Sequence, residues 1–393
     1  MPLALYLLAL AVFAMGTSEF MLAGLLPAIA SDLDVAVGTA GTLTSAFAIG
    51  MVVGAPLMAG LARTWPARSS LLGFVLVFAA AHVLGATTAN FPVLFATRVV
   101  AALANAGFLA VALTTAARLV PADRKGRALA VLLSGTTAAT IAGVPAGSVL
   151  GTTLGWRATF WAVAVLCLPA ALGILKGVPA GPDRGDEPHR PALRAELTRL
   201  RSRRLALVML LGALVNAATF ASFTFLAPVV TGTAGLSDLW ISVVLVLFGL
   251  GSFVGITVAG RVSDHRPDLV VLVGGPLLLL GWPALAVLAH RPAALLVLVF
   301  VQGALSFALG STLITRVLYE AAGAPTMAGS YATAAFNTGA VVGPFVAAAS
   351  LGTTFGDLGP LWVSGLLVAV ALLVAFPFRS VVAAGGRSAE ADG

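Results

Sequence analysis

The sequence predicts an all-α membrane protein of twelve transmembrane helices, arranged as two pseudo-symmetric halves of six helices each. Three observations lead to this prediction: the composition, the spacing of apolar runs and a repeat between the halves of the chain. Of the 393 residues, 60% are hydrophobic and 9% are charged, whereas about 25% of residues are charged in soluble proteins. The apolar runs recur along the whole chain, so a soluble domain on a single anchor does not explain the composition.

Apolar runs of about 20 residues, the length that crosses a bilayer, lie between charged and turn residues. They predict helices at residues 3–30, 38–62, 69–88, 92–117, 127–150, 157–176, 205–229, 239–261, 269–289, 293–317, 326–350 and 358–378. The longest polar segment follows the sixth helix. The predicted parts are therefore a six-helix half at 1–176, a cytoplasmic linker at 177–204, a second six-helix half at 205–378 and a cytoplasmic tail at 379–393.

The basic residues predict the orientation of the chain. With both termini in the cytoplasm, nineteen Lys and Arg residues fall on the inner side and two, Arg157 and Arg291, on the outer side. This asymmetry follows the positive-inside rule. It accounts for the formal net charge of +7, so the expected surroundings are a lipid bilayer and not nucleic acid. Twenty arginines against two lysines are typical of a G+C-rich bacterium, which makes the predicted location the bacterial cytoplasmic membrane.

The linker has two parts of different composition. Residues 179–191 are rich in Pro, Gly and charge and indicate a flexible connection. Leu193, Leu197 and Leu200 then recur at helical spacing among arginines, which favours a short amphipathic helix on the inner membrane surface. A plain flexible linker is the alternative.

A repeat relates the two halves. The pairs of residues 201 positions apart are Gly50 and Gly251, Gly54 and Gly255, and Pro27 and Pro228. The paired glycines form small-xxx-small patterns, which let helix backbones approach closely in lipid. Parallel six-helix repeats joined by a cytoplasmic connector are one architecture of membrane transporters, in which the substrate binds near the midplane between the halves.

Glu19 is a carboxylate in the middle of a predicted apolar helix, where an acid costs several kcal/mol unless it is protonated or paired. The main hypothesis is a role in proton or substrate handling, and the alternative is a hydrogen bond that only holds helices together. Arg98 is the one base well inside a predicted span, and Glu19 is the membrane acid that can partner it. The two need not touch, since water or a polar group can link them. A purely structural Arg98 remains the alternative.

The seventh helix carries a predicted substrate surface. Phe220 lies 201 positions after Glu19, and Asn216 and Phe223 are on the same helix. These residues predict a cavity that holds a partly aromatic, uncharged compound by stacking and a few hydrogen bonds. Further cavity candidates, each equally an interhelical hydrogen-bond partner, are Asn105, Gln302 and Asn337. His82 is either a proton relay or, more simply, a hydrogen-bond partner inside the bundle.

The loop after the eighth helix reads Gly-Arg-Val-Ser-Asp-His-Arg at 260–266 and resembles the Gly-x-Leu-Ala-Asp-Arg loop of the major facilitator superfamily. Asp264 beside Arg261 and Arg266 can form a charge network that latches one conformation. A solvated turn is the alternative.

The fifth helix, with Gly143, Pro145 and Gly147, resembles the antiporter motif of exporters in the same superfamily. Glycines thin one face of such a helix and proline bends it. The resulting surface is expected to pack against the other half and seal one side of the cavity.

Nearly the whole chain resembles a drug/proton antiporter of the twelve-helix branch of this superfamily, which has the major facilitator fold. The runs 16–24, 103–113 and 310–316 are similar in particular to actinomycete chloramphenicol resistance proteins. The resemblance implies proton-coupled efflux of chloramphenicol or a related small drug by alternating access, giving antibiotic resistance, with Glu19 and Arg98 in the proton coupling. It implies no cofactor besides the proton gradient, and we expect a monomer.

Other classes of function fit the sequence less well. An ATP-driven pump needs a phosphate-binding Gly-x4-Gly-Lys-Ser/Thr loop, which the sequence does not contain. An enzyme needs a nucleophile with a base or a metal cluster, and four scattered histidines and one cysteine supply neither. Export of a sugar or another small metabolite by the same mechanism is the remaining alternative.

Overall fold

The computed structural model describes residues 2–61, 65–121, 124–179, 196–263, 267–324 and 327–376. Within these ranges it contains twelve helices long and apolar enough to cross a membrane, which confirms the predicted fold class. We number them in chain order as α1 (Leu3–Gly24), α2 (Val37–Leu61), α3 (Ala67–Thr87), α4 (Phe91–Arg118), α5 (Arg127–Leu154), α6 (Trp156–Gly177), α7 (Arg203–Thr224), α8 (Leu239–Val262), α9 (Leu269–Leu288), α10 (Pro292–Glu320), α11 (Ala328–Leu351) and α12 (Gly356–Ala375).

The first predicted helix, at 3–30, is broken into pieces. It is α-helical at Leu3–Phe20 and passes into a 3₁₀ turn at Met21–Gly24. A separate short helix, Leu26–Asp32, follows with Pro27 in its first turn. Proline has no N–H to donate, and its ring clashes with the carbonyl four residues earlier. The regular helix therefore ends before the proline although the apolar pattern continues through it.

Contacts between helices divide the chain into two compact units. The first unit contains Met1–Arg190 together with Ile241–Val246, and the second contains Pro191–Trp240 together with Leu247–Gly393. Helices α1 to α6 therefore belong to the first unit. The second unit holds α7, most of α8 and α9 to α12, and the described end of the linker belongs to it as well.

The repeat is visible in the packing inside each unit. In the first unit, Gly50 of α2 lies against α4, where a Cβ atom would be 2.6 Å from the Val99 carbonyl oxygen. In the second unit, Gly251 of α8 lies against the Phe300 carbonyl oxygen of α10, and a Cβ atom would overlap it. Because only hydrogen fits at either position, both helix pairs approach closely, as small residues allow in lipid.

Helix α5 is irregular at its glycine-rich stretch. A π-helical segment, Ala139–Gly143, interrupts it shortly before Pro145. Since Pro145 cannot donate to the carbonyl one turn back and its ring needs room there, the wider π turn accommodates it. The irregularity lies where the sequence places the glycines and the proline.

Candidate functional site

Glu19 lies in the last turn of the α-helical part of α1, just before the 3₁₀ turn. Its side chain is partly buried. Within the described parts of the twelve spans, it is the one acid that lies more than a turn away from the end of a span. The geometry of α1 therefore changes at the point where the helix carries its carboxylate.

Arg98 of α4 is 1% exposed and is bound to α1. Its Nη1 donates to the hydroxyl oxygen of Ser18, and its Nη2 donates to the main-chain carbonyl oxygen of Ser18, each at 2.7 Å. The guanidinium carbon also lies 4.7 Å from the ring centre of Phe47 on α2, within cation–π range. Arg98 is thus bonded to the residue next to Glu19, and the two charges are near enough to interact electrostatically.

The end of the α-helical segment explains why a buried guanidinium is stable at this place. The last carbonyls of an α-helix lack an N–H partner within the helix and carry the negative end of the helix dipole. Ser18 is in the last turn of the segment Leu3–Phe20, so its carbonyl is among these groups. Arg98 brings both hydrogen-bond donors and a positive charge to this helix end.

His82 of α3 completes a hydrogen-bond chain. Its Nδ1 lies 2.8 Å from the main-chain carbonyl oxygen of Phe78, and its Nε2 lies 2.6 Å from the hydroxyl oxygen of Ser18. A carbonyl oxygen only accepts, so Nδ1 carries a proton, and Nε2 of the neutral ring accepts the Ser18 hydroxyl proton. The Ser18 oxygen is then free to accept from Arg98. This arrangement favours the hydrogen-bonding role of His82 over a proton relay.

We refer to Ser18, Glu19, Phe47, His82 and Arg98 as the Ser18 cluster; they come from α1, α2, α3 and α4. One donor in it is unused, because the buried Nε–H of Arg98 has no hydrogen-bond partner in the described part of the chain. An unpaired buried donor costs about 1–3 kcal/mol. Such a donor is a place where a further acceptor can bind.

A second cluster lies in the second unit. Phe220 and Phe223 of α7 have ring centroids 6.1 Å apart, Phe223 is 4.8 Å from Phe248 of α8, and Phe248 is 6.1 Å from Phe307 of α10. The first three rings are buried and the fourth is partly buried. We call these four residues the phenylalanine cluster. It offers ring faces and edges on which an aromatic compound can stack.

Asn105 and Gln302 are buried hydrogen-bond partners between helices. Asn105 of α4 donates to the sulfur of Met51 of α2 at 3.6 Å. Gln302 of α10 donates to the Leu278 carbonyl oxygen of α9 at 3.2 Å. Of the two roles that the sequence leaves open for these residues, the contacts favour the interhelical one.

Asn216 and Asn337 are partly buried. Asn216 of α7 donates to the Phe336 carbonyl oxygen of α11 at 2.7 Å. Asn337 of α11 donates to the Thr333 carbonyl oxygen of its own helix at 2.9 Å. Asn216 and Asn337 therefore lie at the same height along the packed helices α7 and α11.

Gly143 and Gly147, in the glycine-rich stretch of α5, pack against helices of the first unit. Gly143, the last residue of the π segment, lies against the Thr17 hydroxyl of α1, where a Cβ atom would overlap it. Gly147 lies against α6, and the Thr159 hydroxyl donates to the Gly147 carbonyl oxygen at 2.9 Å. Pro145 is buried between these two glycines. This stretch thus contacts α1 two residues before its carboxylate.

The predicted charge latch is only partly described. Arg261 lies in the last turn of α8 and is exposed. Asp264 and Arg266 lie outside the described residues. The latch stays a prediction.

Four residues of the two clusters are not among the sequence-based candidates: Ser18, Phe47, Phe248 and Phe307. The repeat contains a signal for one of them, because Phe248 lies 201 positions after Phe47. The ring beneath the buried guanidinium in the first unit thus has its counterpart in the phenylalanine cluster. Ser18 has no comparable signal, since serines are common in apolar helices and only the packing of α3 and α4 identifies it.

Twelve spans in two related units, with a carboxylate and a guanidinium inside the membrane-spanning region, define a secondary transporter. Residues 8–334 match the Major Facilitator Superfamily. The chain belongs to this superfamily, which confirms the prediction of a multi-pass membrane transporter rather than an enzyme.

Similar proteins agree with this assignment. The chain is 78% identical over 382 residues, 97% of each chain, to a protein of Streptomyces lividans named Chloramphenicol resistance protein. It is 32% identical over 373 residues, 94% of each chain, to the inner membrane transport protein YdhP of Escherichia coli (strain K12). The crystal structure of the nucleoside transporter NupG has the same fold, with a TM-score of 0.76 at 13% identity, over 96% of this chain and 98% of that chain. The resemblance inferred from the motifs is confirmed.

Proposed function

We propose that this protein exports chloramphenicol or a related small drug across the bacterial cytoplasmic membrane in exchange for protons, and so gives antibiotic resistance. The observation that carries the proposal is the 78% identity to the Streptomyces lividans protein named for chloramphenicol resistance. The proton gradient is the energy source, without a cofactor. Both termini face the cytoplasm, as the distribution of basic residues predicts.

The Ser18 cluster supports proton coupling. Charged Glu19 balances the positive charge of Arg98, which matters because an uncompensated charge is costly in low dielectric. A proton that arrives from outside neutralises Glu19 and leaves Arg98 as the net charge of the cluster. The guanidinium then depends on Ser18 and Phe47 alone, and the equilibrium between inward-open and outward-open forms shifts.

The Nε–H of Arg98, which has no hydrogen-bond partner among the described residues, supports the step in which Glu19 releases its proton. When Glu19 releases its proton to the cytoplasm, the carboxylate becomes a strong acceptor, and a carboxylate–guanidinium hydrogen bond is charge-assisted. The Glu19 carboxylate can then accept a hydrogen bond from the buried Nε–H of Arg98, which has no other partner in the described part of the chain. Binding and release of one proton thus correspond to breaking and making one contact inside the first unit.

The phenylalanine cluster supports an aromatic substrate. Chloramphenicol has an uncharged nitrophenyl ring, two hydroxyl groups and an amide, which suits stacking combined with a few hydrogen bonds. Each well-placed aromatic pair contributes about 0.5–1.5 kcal/mol beyond the area that it buries. The carboxylate belongs to the first unit and the phenylalanines belong to the second, so proton and drug are handled by different side chains.

The test is uptake of labelled chloramphenicol into inverted membrane vesicles that contain the protein and are energised by respiration. We expect accumulation that a proton uncoupler abolishes and that vesicles without the protein do not show. A pH-sensitive dye inside the same vesicles gives a second readout. Addition of chloramphenicol is expected to release protons from the acidified interior, because drug enters as protons leave.

Two outcomes would contradict separate parts of the proposal. Accumulation that persists after the uncoupler is added would exclude proton coupling but keep the substrate. No accumulation in vesicles shown to contain folded protein would exclude chloramphenicol. Sugars and other small metabolites would then be screened with the same dye, because any exchanged substrate releases protons.

A further inference from the structure

The linker residue Glu196 is fixed to the start of α11. Its side chain is fully buried, and its carboxylate accepts the Met327 main-chain N–H at 2.9 Å. Its main-chain carbonyl accepts the Tyr331 hydroxyl at 2.8 Å. Met327 is the N-cap residue of α11, and its own side chain makes no cap hydrogen bond. Glu196 supplies this cap from the linker and places an acid at the positive end of the helix dipole.

Arg199 holds the linker at a second point. Its guanidinium lies over Gly323, between α10 and α11, where a Cβ atom would overlap it. Thr198–Arg201 form one 3₁₀ turn, and Arg203 is the first residue of α7. From Glu196 to α7, the end of the linker therefore has a fixed orientation on the second unit. Leu193, also predicted to belong to an amphipathic helix here, lies outside the described residues.

Most of the exposed side chains in the rest of this segment are apolar or basic. Leu197 and Leu200 are 46% and 41% exposed, and Arg201, Arg203 and Arg204 are exposed as well. Arg203 begins a membrane-spanning helix, so these side chains lie at the level where the chain enters the membrane. Leucines that reach the acyl boundary, beside arginines at headgroup level, are typical of segments that bind a membrane surface.

We propose that residues 197–204 bind the headgroups of anionic phospholipids in the cytoplasmic leaflet. The level of the segment and its positive charge favour lipid as the occupant. Two leucines are also far too small a surface for a stable protein partner, which needs about 1,000 Å² of buried interface. Guanidinium groups bind phosphate oxygens at two points, and each basic residue near an anionic surface strengthens binding roughly fivefold.

The test is a titration of the purified full-length protein, in mild detergent, with phosphatidylglycerol and with phosphatidylcholine, followed by native mass spectrometry. We expect selective binding of phosphatidylglycerol. The variant R201Q/R203Q/R204Q is expected to bind it roughly 100-fold more weakly, from three fivefold steps. The variant R201K/R203K/R204K keeps the charge and is expected to lose much less. The matched control K125Q/K176Q/R291Q, which removes three exposed basic residues elsewhere, is expected to bind as wild type does.

Several outcomes would overturn this proposal. Equal binding of the two lipids by the wild-type protein would do so without any variant, and so would unchanged phosphatidylglycerol binding in the glutamine variant. Displacement by inorganic phosphate at matched concentration would make the segment a site for free anions. A dimer that disappears in the glutamine variant would make a second copy the occupant. Selective binding that appears only after removal of residues 379–393 would mean that the tail covers the segment.

Discussion

Arg98 and Ser18 are joined by two hydrogen bonds of 2.7 Å, one to the side chain and one to the main chain of the serine. Both bonds run to the residue beside Glu19, so the guanidinium holds the helix that carries the acid. We therefore expect a change of charge at Glu19 to act on a hydrogen-bond network that also includes His82 of α3. Substitutions at Glu19, Arg98 and His82 separate the roles of these residues.

Replacing Glu19 by Gln is expected to lower uncoupler-sensitive uptake of chloramphenicol into inverted vesicles by about 100-fold or more, because the amide cannot bind and release a proton. Exchange of labelled for unlabelled drug needs no proton and is expected to continue. The matched control is Glu320→Gln at the end of α10, which is expected to transport as wild type does. Uptake by E19Q at the wild-type rate in energised vesicles would exclude Glu19 as the proton-binding group.

Replacing Arg98 by Lys is expected to lower the same uptake by about tenfold or more, although the charge is kept. An ammonium lacks the planar fork that donates to the Ser18 hydroxyl and carbonyl together, and a hydrogen bond to a charged group contributes about 1.5–3 kcal/mol. Arg291→Lys on an exposed loop is the control. Wild-type uptake by R98K would show that charge alone matters at this position.

Replacing His82 by Gln is expected to preserve proton-coupled uptake and its pH profile, because a side-chain oxygen can accept the Ser18 hydroxyl in place of Nε2. Phe at the same position removes the acceptor, and we expect a loss of stability of about 1–3 kcal/mol in thermal unfolding. If the folded Gln variant lost its response to the uncoupler, His82 would have to be a proton carrier.

Replacing Phe248 by Leu is expected to raise the KM for chloramphenicol about fivefold, since one aromatic contact of about 1 kcal/mol is lost while the bulk is nearly kept. Phe253→Leu is the control on the same helix, because this ring is 48% exposed on the outside of the unit. Equal KM values for the two variants would remove the phenylalanine cluster from the substrate site.

Arg157 ties three parts of the first unit together at the start of α6. It forms an ion pair with Asp32, donates to the Thr88 carbonyl oxygen at 3.1 Å and stacks on Trp156 at 4.4 Å. Arg157→Ala is expected to lower stability by about 1–2 kcal/mol, more than an isolated surface ion pair, with transport per folded molecule unchanged. Thermal unfolding of this variant beside Arg291→Ala measures the difference. An equal small loss in both would make the ion pair an ordinary surface contact.

The spans could be predicted because the hydrocarbon thickness of the bilayer fixes their length and few charged residues interrupt the apolar runs. The predicted helix at 69–88, for example, is found at Ala67–Thr87. The end of α1 could not be predicted in the same way. Its apolar pattern runs through Pro27 without interruption, and hydrophobicity does not distinguish a continuous helix from a 3₁₀ turn followed by a second helix.

Glu19 and Arg98 stand out in the sequence because a charge inside an apolar run is rare and costly. Their connection through Ser18 is not visible in the sequence, because it depends on how α1 is rotated about its axis against α3 and α4. Gln302 shows the same limit: its residue type predicts a hydrogen bond, but only the packing shows that its amide faces Leu278 of α9. Side-chain partners between helices follow from tertiary packing, which residue spacing along one helix does not encode.

In the proposed exchange, a single proton-binding acid deep in the described spans would also set a thermodynamic ceiling. A pump that returns one proton through Glu19 for each neutral drug molecule moves one elementary charge, worth about 2.3 kcal/mol at 100 mV. That free energy sustains a drug concentration ratio of about 50-fold, and each unit of pH difference multiplies the ratio by about ten. The drug concentration that such a cell tolerates is therefore bounded by the energetics of its membrane, and making more transporter does not raise that bound.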